Sequence, residues 1–285
     1  MADLPTAETL LVDRDGAVVT LTLNRPHSKN ALDDPTVQRL QDELRGARDD
    51  TDVRVLILAG SGGDFCSGAD VGGDRKEGHP VDRMRWFGDT AMLLAEFPKP
   101  VIAKVRGVAV GAGCNLALAA DFVVATPEAR FSQIFGRRGL SPDFGGTWLL
   151  PRTVGLLQAK RLALLAEIIS AEEASRLGMV TWIRPAHEID TFVEDLASQL
   201  AAGPPVAMAL TKSMLNQAST QSLREALDNE GRVAAINLAT DAMAARQAFV
   251  DKVEPTFSGS WHVDTTLRAD PSPHDEAVDV NGDSD

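Results

Sequence analysis

The sequence predicts an α/β fold whose last third is helical. Through Pro151, short apolar runs ended by glycine alternate with amphipathic stretches. Two glycine-rich turns follow strand-like runs, "VRVLILAG" and "VIAKV". Beyond Pro151 the strand pattern thins and helical periodicity takes over. Strand, glycine loop, helix, strand, glycine turn and helix in that order is the alternation of a mostly parallel sheet.

Each element has a local reason. "TLLVDRDGAVVTLTLNRP" reads as two strands joined at Asp15-Gly16, the second alternating apolar and Thr at period two. "DDPTVQRLQDELRGARDD" opens with Asp and Pro, a cap and first-turn signal, and continues as an amphipathic helix. "VRVLILAG", Val53 to Gly60, is a buried strand, followed by the loop "GSGGDFCSGADVGG" and the polar stretch "DRKEGHP". "VDRMRWFGDTAMLLAEFPKP" is a helix that stops before Pro98. "VIAKVRGVAVGAG" reads as one strand running into the second glycine turn, "CNLALAAD" as a short helix and "DFVVAT" as a strand. The later helices are "GLLQAKRLALLA", "SAEEASRLG" with Ser170 as its cap, "EIDTFVEDLASQLAAG", "PPVAMALTKSMLNQA" and one long "SLREALDNEGRVAAINLATDAMAARQAFVDK".

The 285 residues are 44% apolar and 24% charged, enough for a sizeable core. A net charge of -13 argues against nucleic acid or an anionic membrane as a partner, though not against a small anionic ligand. Cys66 and Cys114 are distant and lack metal or disulfide spacing, which suits a reducing, cytoplasmic setting with no metal site. The N-terminus lacks the basic and apolar regions of a secretory signal, and no apolar run reaches membrane-spanning length. From Ser258 the chain turns acidic and poor in large apolar residues, which reads as a disordered tail.

"LNRPHSKNAL", "FCSGADV", "KPVIAKVRGVAVGAGCNLALAADFVVAT" and "GLSPDFGGTWLLPRTVG" follow one another in the order and spacing of the enoyl-CoA hydratase/isomerase (crotonase) family. The resemblance runs from about residue 8 to 257, through "SAEEASRLGMVTWI". It implies a crotonase-like ββα spiral core over 1–200, a C-terminal helical trimerisation region over 201–257 and the acidic tail 258–285. It also implies an acyl-CoA thioester as ligand, a homotrimer or dimer of trimers, and no cofactor apart from the coenzyme A carried by the substrate.

Carried over by position, the resemblance assigns an oxyanion hole to the backbone N–H groups of Ala69, in "SGAD", and Ala112, in "GAG". It lays coenzyme A along Ser28, Lys29, Ala69, Asp70, Val71, Gly72 and Ala112. Phe135, Phe144 and Trp148 are acyl-pocket candidates. The two glutamates of the family's hydratases fall at Asn115 and Phe135 here, and neither residue can serve as a base. Asp143, in "SPDFGG", matches the position where isomerase-type members of phenylacetate breakdown carry an Asp. It can be read as the N-cap of the helix begun by "TWLL", or as a proton-transferring acid/base. The two roles conflict, because a carboxylate bonded to backbone N–H groups is a weaker base. The expected activity is double-bond isomerisation of an unsaturated acyl-CoA through an enolate. The alternatives are hydration of a 2-enoyl-CoA and a non-catalytic acyl-CoA-binding scaffold.

Overall fold

The computed structural model describes residues 8–70, 72 and 79–261. The chain opens with β1 (Leu10–Asp15) and β2 (Val18–Leu23), antiparallel across a turn in which Gly16 takes φ +55°. In β2 the residues at period two, Val19, Leu21 and Leu23, are buried, as the alternation predicts. Helix α1 (Asp34–Asp49) is capped by Asp33, whose carboxylate accepts the Thr36 N–H at 2.9 Å. Strand β3 (Val55–Gly60) follows, then α2 (Pro80–Ala95), which ends before Pro98.

The stretch "VIAKVRGVAV" is two strands rather than one. β4 (Val101–Val105) and β5 (Val108–Val110) belong to different sheets, and the corner between them is Gly107 at φ +53°. A methyl there would lie 2.3 Å from Asp64 Oδ1 and 2.4 Å from the Gly63 carbonyl, so only glycine lets the chain turn. Helix α3 (Ala112–Leu118), β6 (Phe122–Ala125) and β7 (Arg130–Ser132) come next, then a 3-10 turn over Ile134–Arg138. The chain continues through α4 (Gly146–Val154), α5 (Leu156–Leu165), β8 (Ile168–Ser170), α6 (Ala171–Arg176) and β9 (Trp182–Ile183).

The larger sheet has six strands in the order β1-β2-β3-β4-β6-β9, parallel after the first pair. The smaller has the order β5-β7-β8. Burial on both faces explains the unbroken apolar run in β3; in β4 the run is interrupted by Lys104, which pairs with Asp190. One face carries the main core, from Leu21 and Leu58 to Phe65, Leu94 and Phe131. On the other face Val55, Ile57, Ile102 and Val124 meet Ile189, Val193 and Ala197 of α7 (Ile189–Ala201).

Three helices end the described chain: α8 (Pro205–Gln217), α9 (Leu223–Leu238) and α10 (Ala242–Asp251). The last two form a single stretch in the sequence reading and are separate in the structure. Thr240 Oγ1 donates back to the carbonyls of Ile236 and Asn237, a pattern that competes with helix continuation. Asp241, buried at the break, accepts the N–H groups of Ser258 and Gly259 at 2.9 Å each. Arg54 donates to the Phe257 carbonyl at 3.0 Å. The chain is therefore tied down past Ser258, where composition reads as a tail; residues 262–285 lie outside the described residues. Asp241→Ala should lower stability by about 1.5–3 kcal/mol, the range for bonds to a charged acceptor. Urea unfolding and proteolysis near Gly259 are the measurements.

Candidate active site

Two loops meet at one end of the sheets. The loop leaving β3 turns back so that Cys66 bridges Ala109 of β5: Cys66 N–H donates to Val108 O and Val110 N–H to Cys66 O, both at 2.9 Å. Gly68, at φ +102°, then passes the turn at Gly111, φ +57°. A methyl on Gly68 would lie 2.9 Å from the Val110 carbonyl and 3.5 Å from the Ala112 nitrogen. Glycine at 68 and 113 is what allows this approach, since a Gly113 methyl would overlap the Cys66 carbonyl at 2.3 Å.

Ala69 and Ala112, far apart in sequence, are thus neighbours. Ala112 is the first residue of α3, so its N–H has no partner within the helix. Ala69 forms a parallel bridge with Leu32 in which Leu32 N–H donates to Gly68 O and Asp70 N–H to Leu32 O. Both bonds of that bridge belong to the flanking residues, so neither engages the Ala69 N–H.

The other rim residues gather beside them. Ser67 N–H donates to Lys29 O, and Ser67 Oγ to Ser28 O, both at 3.0 Å. Lys29, left-handed at φ +53° and 60% exposed at its side chain, stands 3.5 Å from Asp64. Asp70 accepts the Gly72 N–H at 3.0 Å and pairs with Arg25 at 2.9 Å; Val71 lies outside the described residues. Arg25 also pairs with Asp33 at 3.1 Å. Buried Asn30 donates to the carbonyls of Ser61 and Asp64 and accepts the Arg25 N–H. Arg25 and Asn30, both inside "LNRPHSKNAL", carried no local signal of these ties.

Asp143 does not cap α4. The cap position belongs to Gly145, left-handed at φ +73° and without a side-chain bond. It is the main-chain carbonyl of Asp143 that is used, accepting the Gly146 N–H at 2.9 Å and Asn115 Nδ2 at 2.8 Å. The half-buried carboxylate keeps Oδ1 away from water with no partner among the described residues. Burial pushes its pKa from 3.8 up to about 6, opposed weakly by its own backbone N–H.

Asn115 is sealed from solvent and accepts from Gln133 Nε2 at 2.8 Å. Phe135, 5% exposed, packs by the Gly111 turn. Phe144 is in the core, edge-on to Phe87 with centroids 5.2 Å apart. Trp148, covered by Arg152 at 3.9 Å, lines a cavity of about 770 Å³ between α2, α4 and α8. Of the three acyl-pocket candidates, only Trp148 borders that cavity. Burial pushes the thiols of Cys66 and Cys114 up to about 12, so both are neutral and poor nucleophiles. Exposed His79 caps α2, its Nδ1 accepting the Val81 N–H at 3.3 Å. No group of side chains among the described residues has a metal-binding arrangement, and none of their helices is long and apolar enough to cross a membrane.

Residues 13–260 match the family described as enoyl-CoA hydratase/isomerase. The chain belongs to the enoyl-CoA hydratase/isomerase family. Among its relatives is the 1,2-epoxyphenylacetyl-CoA isomerase of Escherichia coli K12, 36% identical over 88% of this chain and 99% of that protein. The 2,3-dehydroadipyl-CoA hydratase of the same strain is also 36% identical, over 88% of this chain and 98% of its own length. The crystal structure of an enoyl-CoA hydratase from Bacillus anthracis superposes with a TM-score of 0.84 at 30% identity, covering 89% of this chain and all of that one. The family relation and these structural neighbours give the chain the crotonase fold, with its helical C-terminal region.

The raised pKa of Asp143 has a stability consequence. A carboxyl raised in the folded state favours the fold fully below its ordinary value of 3.8, and that contribution is lost as pH rises through about 6. Asp143→Asn should therefore melt higher than the parent at pH 8, with the gap closing below pH ~4. Thermal unfolding across that range measures it.

Proposed function

We propose that this member of the family isomerises an unsaturated acyl-CoA, with Asp143 as the one proton-transferring group. The observation that carries the reading is the carboxylate of Asp143, half-buried, unused as a cap and titrating near 6. A base with that pKa is largely ionised at neutral pH and still able to return its proton. The family's two hydratase glutamates have no counterpart, since Asn115 and Phe135 stand in their places.

In the proposed mechanism the thioester oxygen lies between the N–H groups of Ala69 and Ala112. Asp143 removes a proton from the acyl chain next to the double bond, and the electrons move onto the thioester oxygen as an enolate. The two N–H groups stabilise that charge, each worth about 3 kcal/mol in sites of this kind. The enolate then takes the same proton back at a different carbon, and the double bond has moved. No external acid or water is consumed. Ser28, Lys29 and Asp70 to Gly72 would run along coenzyme A, and the cavity beside Trp148 would take acyl chain.

A second reading, hydration of a 2-enoyl-CoA, draws on the hydratase relative at equal identity. It needs one group to activate water and another to protonate carbon, and among the described residues we assign only Asp143 to proton transfer. Binding without turnover, as a scaffold, has no observation of its own in its favour. We also expect a cytoplasmic homotrimer or dimer of trimers. Neither α8 nor α9 has a fully buried residue, while Leu215, Leu223, Leu238 and Phe249 are exposed, a surface suited to copies of itself.

Purified protein should convert a 3-enoyl-CoA to its 2-enoyl isomer, with kcat rising to a plateau through pH ~6. Asp143→Asn should reduce kcat by a factor of about 10²–10⁴ with little change in KM. Hydration of 2-enoyl-CoA that survives Asp143→Asn, without any isomerisation, would reverse the reading. Sedimentation equilibrium should give a mass of three or six chains.

A further inference from the structure

Asn115 and Gln133 are 0% and 1% exposed, deeper than Asp143, whose main chain Asn115 meets. Buried amides need partners, and these two are joined in a line. Gln133 Nε2 donates to Asn115 Oδ1, and Asn115 Nδ2 donates to the Asp143 carbonyl, each at 2.8 Å. The direction is fixed from one end. A main-chain carbonyl only accepts, so Asn115 must turn its NH2 toward it. Its oxygen then faces Gln133, which must also present NH2. Gln133 Oε1 is left without a partner among the described residues.

The same short segment holds the other half of the site. Ser132, the neighbour of Gln133, accepts the Gly111 N–H at 2.8 Å just before Ala112. Asn115 follows Ala112 by three residues on α3. Gly146 lies against the Asn115 amide so closely that a methyl would stand 2.3 Å from Nδ2. The turn being held resists its own shape, with Phe144 at φ +50° and Gly145 at φ +73° in succession. A left-handed aromatic residue persists only when its surroundings enforce it.

We propose that Gln133 and Asn115 form a directional amide relay that sets the Asp143 turn against the Ala112 turn, making both of them positioning residues for the Asp143 carboxylate. This rests on the reading of Asp143 as the base. Ser132 and Gln133 fix the two halves of the site from one place, the first through main chain and the second through its side chain. No charged side chain contributes to the raised pKa of Asp143, and the Cys114 thiol beside Gln133 is neutral. Orientation and burial therefore govern that carboxylate. With the relay cut, the turn relaxes and the carboxylate reaches water.

Two variants test it on the full chain. Gln133→Met removes the distal donor at similar volume. Asn115→Leu removes both bonds. Asp143 is followed by ¹³C NMR of labelled carboxyls, and proton transfer by the rate at which a 3-enoyl-CoA becomes its 2-enoyl isomer. In variants folded by circular dichroism, the Asp143 titration should move from about 6 toward 3.8. Isomerisation should lose at least about tenfold in kcat with KM within about twofold, as expected when only an oriented group is disturbed. A folded variant whose titration and kcat match the parent overturns the relay. So does a loss of kcat that follows only the unfolded fraction, with the titration unmoved. If Asn115→Leu fails to fold, Gln133→Met decides alone. If the parent isomerises no 3-enoyl-CoA, the reading of Asp143 as base fails, and the titration by itself upholds or overturns the relay.

Discussion

The docking of the loop after β3 onto β5 is the contact on which the site depends. Two main-chain bonds, Cys66 N–H to Val108 O and Val110 N–H to Cys66 O, hold a loop of one sheet along a strand of the other. Everything nearby follows from how close that loop comes. Gly68 and Gly113 have no room for a side chain, and the two cysteines beside them are small enough to be sealed in. A bulkier residue at any of these positions would push the Gly68 loop away from the Gly111 turn and separate Ala69 from Ala112. The cysteines are explained by size rather than by reactivity, which agrees with thiols held neutral by burial.

Asp143 shows how the fold places a charged group without satisfying it. A carboxylate at the start of a helix ordinarily accepts backbone N–H bonds, and those bonds lower its pKa. Here the left-handed Gly145 takes the cap position and the main-chain carbonyl of Asp143 takes the local bonds. The side chain is left in partial burial, where desolvation raises its pKa. That arrangement opposes stability at neutral pH. Asn115, sealed from solvent, fixes the backbone there through the Asp143 carbonyl.

Much of the fold was legible because its signals are local. Asp33, Ser170 and Ser222 cap helices from within three residues, and the period-two pattern of β2 needs only its own six positions. The division of β4 from β5 was not legible, since apolar residues run through both and the need for a corner at Gly107 comes from Asp64, distant in sequence. The break between α9 and α10 is set by Asp241 reaching Ser258 and Gly259, again a distant partner. In the site, the motifs marked Ala69, Ala112 and Asp143, but nothing local separated a capping Asp from a free one. That difference lies in the φ of Gly145 and in an amide 28 residues away. Gln133 gave no signal, because its role is visible only once Asn115 faces it.

The residues at 115 and 143 are linked by hydrogen-bond polarity. The hold that α3 supplies to the Asp143 turn ends on a main-chain carbonyl. Only a donor can meet that carbonyl, so an ionised carboxylate at 115 would face it lone pair to lone pair. Asparagine keeps the length of an aspartate and reverses one end of it from acceptor to donor. A chain with glutamate at 115 has an acid there and must hold the following turn by other means. This chain has the donor at 115, and on the proposed reading its acid is at 143. Replacing Asn115 alone would leave the Asp143 carbonyl and the Gln133 amide without that buried partner.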